Sequence, residues 1–163
     1  MLRGGDRRKS ADVDEAAAAA VRDPRLFDAL IDAIGGEDHG LAQRAAGAAD
    51  QASAERPDLL AAHAPRILGP LAAVPCNVVR SHLAPMLARM RLTDPERERA
   101  IALLLGWLEH GDDEALRANA LEALAALGEG DEAVRAVLER AAAEGPAAVR
   151  VRARRVLGRR RRR

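Results

Sequence analysis

The sequence predicts an all-α fold: an α-α superhelix of about four helical hairpins, preceded by one extra N-terminal helix. Three observations carry this. Hydrophobic residues fill 48% of the 163 positions, yet aromatics supply 1%, Phe27 and Trp107 with no Tyr. The core must then come from Ala, Leu, Val and Ile, and Ala and Leu favour helix over strand. Apolar stripes at helical spacing alternate with Asp-Pro and Gly-rich breaks. Finally, one two-helix arrangement recurs along the chain, the signature of a stack of hairpins that bury their faces on one another.

The elements follow in order. Asp12 with Glu15 forms an Asp-x-x-Glu capping pattern before the run Ala16 to Val21. Asp23-Pro24 reads as an N-cap and a first-turn proline. Leu26, Phe27, Leu30, Ile31 and Ile34 fall on one stripe, and Gly35-Gly36 ends it. The partner helix runs from about Asp38 to Ser53, with Leu41, Ala45, Ala48 and Ala52 facing inward. The next first helix, Pro57 to about Ala73, is interrupted by Pro65 and Pro70, each of which removes a backbone donor. Asn77 to about Met90 pairs with it. Asp94-Pro95 repeats the earlier capping signal and opens a helix to about Glu109. The turn His110-Gly111-Asp112 leads to a helix from Asp113 to Leu127. Asp131 to Ala143 and Pro146 to about Leu157 complete the fourth pair.

The period lies in the second helices. Each holds an apolar or amide residue followed by arginine: Gln43-Arg44, Val79-Arg80, Leu116-Arg117 and Val149-Arg150. The arginines stand 36, 37 and 33 residues apart, and seven positions after them come Gln51, Leu87, Leu124 and Leu157. The segments DDEALRANALEALAAL and NVVRSHLAPMLARM resemble the second helix of HEAT repeats. The recurrent feature of that family is a Val-Arg pair with an aspartate nearly two turns upstream. Asp38 and Arg44 match it, as do Glu144 and Arg150 with Glu for Asp; Asp112 is one residue closer to Arg117, and Arg80 has Val74 there. The resemblance covers residues 24–157 and implies a short right-handed stack whose second helices line a concave face. Residues 11–157 are then the repeat domain, residues 1–10 a basic flexible segment and residues 158–163 an arginine-rich tail.

Composition narrows function. Net charge is +1, but residues 150–163 hold nine Arg and no acid, and residues 1–9 hold four bases against Asp6. Removing those from the 26 bases and 25 acids leaves residues 10–149 with thirteen bases and 24 acids, a net charge of −11. An acidic body repels phosphate, so nucleic acid would be met by the basic ends. Arg154, Arg159, Arg160 and Arg161 are the candidate phosphate contacts. The favoured reading of these arginines is structural, with Arg150 to Arg155 on the solvated side of a closing helix. Gly158 then breaks that helix, and Arg159 to Arg163 follow as an appendage. One cysteine, the absence of a signal-like start and the absence of a long apolar run predict a cytoplasmic protein outside the membrane.

No catalytic, metal or cofactor pattern emerges. His39, His63, His82 and His110 are scattered, Cys76 has no histidine near it in sequence, and the glycine pairs terminate helices. Trp107 with Asp112 or Asp113 gives only a distant likeness to HEAT-like base-excision enzymes, and reads better as core. The predicted function is therefore non-catalytic: a scaffold that binds a protein or peptide segment in its groove. The candidate contacts are Arg44, Asn77, Arg80, Ser81, Arg117 and Arg150. Arg80, lacking an acid of its own, is the foremost; the favoured reading of the arginine row itself is structural, each arginine pairing with an acid of its own or the neighbouring turn. A nucleic-acid-associated role through the arginine-rich ends is the alternative.

Overall fold

The computed structural model describes residues 4–160, with side chains for residues 11–159. Among these residues nine helices follow one another without a strand. The chain divides into two compact units, Met1–Arg91 and Leu92–Arg163.

The first unit begins with α1 (Gly4–Arg22). Helix already runs through Asp12, so Asp12 caps nothing: its backbone is mid-helix, and the expected start there is displaced upstream. Then α2 (Pro24–Ile34) starts as the Asp23-Pro24 pair predicts, with the Asp23 carboxylate accepting from the Arg25 N–H at 3.0 Å. Gly35 ends it. In α3 (His39–Glu55), Asp38 is the N-cap, accepting from the Leu41 N–H at 2.9 Å. That bond, with help from the Arg44 charge, holds the Asp38 carboxyl below its ordinary range.

Helix α3 packs against α1 and α2. It can do so because Ala42, Ala45, Ala46, Ala48, Ala49 and Ala52 are all buried around Gly47; such short side chains let several helices approach one axis. Leu41 departs from the expected inward stripe and is 45% exposed. Ala45, Ala48 and Ala52 are buried as expected, and Ala42, Ala46 and Ala49 are buried beside them, so the apolar stripe is wider than expected and Leu41 alone falls outside it. The proline-rich segment breaks up as expected, into a 3-10 turn Pro57–Leu60, the short α4 (Ala64–Arg66) and a π-turn Ile67–Leu71 kinked at Gly69 before Pro70. Helix α5 (Asn77–Arg89) then packs on α3.

The second unit repeats this order. The N-cap of α6 (Asp94–His110) is Thr93, one residue before the predicted Asp94. The Glu96 carboxylate reaches back to accept from both the N–H and the hydroxyl of Thr93, each at 2.8 Å. Then come α7 (Glu114–Leu127), α8 (Glu132–Glu144) and α9 (Ala147–Arg160). Asp113 caps α7 through the Leu116 N–H, and Asp131 caps α8 through Ala133 and Val134. Between α7 and α8, Gly130 has φ 86°, a left-handed turn conformation that glycine adopts freely.

Helices α6 and α7 pair, as do α8 and α9, and α7 also packs on α9. In both units, then, each second helix rests on the next second helix. Leu104, Leu116, Leu121, Leu124, Leu138 and Ala153 are fully buried in the second unit. Each leucine removed from water contributes about 1.5–3 kcal/mol. Helix α9 passes straight through Gly158 and is described as far as Arg160. The expected break is absent because an isolated glycine costs a helix only about 1 kcal/mol relative to alanine.

Candidate functional site

The predicted arginines take different settings. Arg44 is exposed on α3. It borders an apolar cleft of about 170 Å³ between α1, α2 and α3, with Val13, Ala16, Leu30 and Leu41 among its walls. Arg80 on α5 is half-buried, and its Nε is enclosed without a hydrogen-bond acceptor among the described residues. Asn77 and Ser81 sit on the same helix, Asn77 half-buried and Ser81 buried, both engaged with partners.

In the second unit Arg117 donates from Nε to the backbone carbonyl of Gly111, closing the end of α6. It also borders a cleft of about 280 Å³ that includes Leu108, Val137 and Val149. Glu109 and Arg140 cross the rim of that cleft at 3.5 Å. Arg150 is exposed on α9. Arg44 and Arg117 occupy the same position in their repeats, and each lines a partly apolar cleft, the first toward α1 and the second toward α8 and α9. Arg154 is exposed and its Nε donates to the Ala142 carbonyl at 3.3 Å. Arg159 is exposed near the end of α9; the Arg160 side chain and all of Arg161 lie outside the described residues.

The polar links between repeats fall on residues that sequence reasoning passed over. On the first helices, Asp28 meets His63 at 2.9 Å and Asp32 meets Arg66 at 2.6 Å. On the second helices, Asp50 meets His82 Nδ1 at 3.0 Å and Arg89 at 2.7 Å, and Arg89 also donates to Ser53 Oγ at 3.0 Å. Glu122 and Arg152 do the same in the second unit, at 3.0 Å. Together with Glu109–Arg140, all these pairs are separated in sequence by 30 to 39 residues. That interval is close to the repeat period, and it was the available signal.

The remaining candidates are structural. Trp107 is buried on α6 and Asp113 is a helix cap, so neither faces a base. Cys76 lies before α5, its Sγ accepting from Gln43 Nε2 at 3.6 Å. His63 packs its ring 5.6 Å from Phe27. Among the described residues no three His, Cys, Asp or Glu side chains are placed to hold a metal, and no helix is long and apolar enough to cross a membrane.

This geometry meets its counterpart in comparison with known proteins. The chain matches the family of HEAT repeats over residues 66–158. That is more than half of the sequence, and the protein belongs to the HEAT-repeat family. No curated protein matches the chain.

Proposed function

We propose that this protein acts by binding rather than catalysis, as a cytoplasmic scaffold whose repeat domain, residues 11–157, receives a protein segment along its second helices. HEAT repeats are generally protein-interaction modules. The observation that carries the reading here is that Arg44 and Arg117, which share a position in their repeats, each line a cleft with apolar walls, Arg44 against the preceding helix α1 and Arg117 against the following hairpin α8–α9. Anchor side chains of a partner fill such hollows while charged rims set orientation and exclude wrong partners. Around the second cleft, charges of both signs (Glu109, Arg117, Arg140 and Glu144) surround Leu108, Val137 and Val149. That mixture suits an amphipathic peptide or helix better than a small molecule.

Asn77, Arg80 and Arg150 extend the contact set on α5 and α9. Ser81 supports that surface from beneath. The test is capture from native lysate at physiological salt after nuclease treatment, with wild type and the Arg44→Glu/Arg117→Glu double variant. The expected result is a stoichiometric protein recovered with wild type and lost from the variant. Equal recovery with both, or none with wild type, overturns the proposal.

A further inference from the structure

We propose that the outward face of α9 binds the phosphate backbone of double-stranded DNA without regard to sequence. The core side of this helix is Val149, Ala153 and Val156. Opposite lies Val151, 67% exposed. Because helix continues through Gly158, Arg159 stays in register with the residues before it. Two rows result, each of residues one turn apart: Arg150 with Arg154, and Arg155 with Arg159. At about 100° per residue the rows stand about 140° apart around the helix, flanking Val151 and Gly158.

This face departs from the rest of the repeat. The positions equivalent to Arg154 in the earlier second helices are Ala48, Ala84 and Leu121, all buried. In α9 the same register carries an exposed charge. Arg152 is different: Glu122 holds it at 3.0 Å against α7. Arg150, Arg155 and Arg159 have no carboxylate within ion-pair distance among the described residues.

Two arginine rows on a helix about 10–12 Å wide match the two phosphate strands bordering a major groove about 12 Å wide. Guanidinium forks fit phosphate oxygens. Between the rows lie only an aliphatic side chain and a glycine, which offer no hydrogen bonds to base edges, so sequence goes unread. Single strands are disfavoured because stacking needs exposed aromatics, and both Phe27 and Trp107 are buried. A limit is set on one side by Glu129, Asp131, Glu132 and Glu139, which line a cleft with Leu157 and, outnumbering the one base there, Arg135 paired to Glu139 at 3.0 Å, repel phosphate.

The experiment is fluorescence anisotropy of the full chain with a duplex of about 20 base pairs, a single strand of the same length and polyglutamate. If four phosphates are contacted, the log–log salt slope is about −3.6, so duplex affinity falls about 150-fold between 50 and 200 mM salt. The Arg150→Gln/Arg154→Gln/Arg155→Gln/Arg159→Gln variant, with unchanged circular dichroism, should lose that binding and its salt slope. Removal of residues 161–163 should leave most of both, and Glu132→Gln/Glu139→Gln should tighten binding. Three results would each overturn the proposal: a quadruple variant that binds as wild type does, loss of all binding on removing residues 161–163 alone, or equal affinity for duplex, single strand and polyglutamate.

Discussion

The carboxylate of Asp50 and the guanidinium of Arg89 meet at 2.7 Å across the α3–α5 interface, 39 positions apart in the chain. The same carboxylate takes His82, and Arg89 also donates to the Asp50 carbonyl at 3.0 Å. Both partners are largely shielded, at 19% and 27% side-chain exposure.

Asp50→Ala is expected to destabilise the protein by about 1–3 kcal/mol, since it leaves two half-buried donors without an acceptor. A double-mutant cycle with Arg89→Ala, read by urea unfolding, should give a clear coupling energy. The exposed pair Arg135–Glu139, at 58% and 51% exposure, should give well under 1 kcal/mol in the same measurement.

Gly128→Ala should destabilise by about 1–3 kcal/mol. An added Cβ would lie 2.5 Å from Val134 Cγ1 and 2.6 Å from Val134 Cβ. Val134 Cβ is fixed by the first turn of α8, so rotating the side chain gives no relief. Thermal unfolding with the neighbouring Gly130→Ala as a strained-backbone comparison, and Gly106→Ala as an unobstructed control, checks the cause. Only the control should match or exceed wild type in stability.

Leu121→Ala and Leu41→Ala should differ widely. The first empties a fully buried site and is expected to cost about 2–5 kcal/mol; the second trims a side chain already 45% exposed and should cost less than half as much. Equal losses in denaturant unfolding would contradict the observed phase of α3.

The capping carboxylate of Glu96 is held below its ordinary range by the N–H and hydroxyl of Thr93. Its pKa is depressed on folding, so its contribution is present above the unfolded value of about 4.3. It is lost as pH falls through the lower folded value. Wild type should therefore exceed Glu96→Gln in stability at neutral pH, with the gap closing under acid. Unfolding curves of both proteins between about pH 7 and pH 3 provide the measurement.

The legible parts of the fold were those set by short-range chemistry. Asp23, Asp38 and Asp131 announced their helices because a cap and the N–H groups it satisfies lie within three residues. Pro65 and Pro70 announced an interrupted helix for a similarly local reason. Asp12 misled, since upstream residues extend the helix past a good capping pattern. Leu41 misled because α3 is so rich in alanine that its apolar stripe has little contrast, and burial on several sides left Leu41 on the remaining open face. The candidate site was harder to read. Arg44, Arg80, Arg117 and Arg150 were found by their period, but Asp50 with Arg89, or Glu122 with Arg152, stand among many acid–base pairs near that interval, and the packing of the helices is what selects them.

Those links have a consequence for how such a protein can change. Each acid sits on one hairpin and its base on the following hairpin, so neither hairpin carries a finished bond. A hairpin copied or moved elsewhere in the chain would bring half of one pair and half of another, and would meet strangers on both sides. The order of the modules is thus written at their seams, and exchanging α2–α3 with another hairpin would require Asp28, Asp32 and Asp50 to be matched anew.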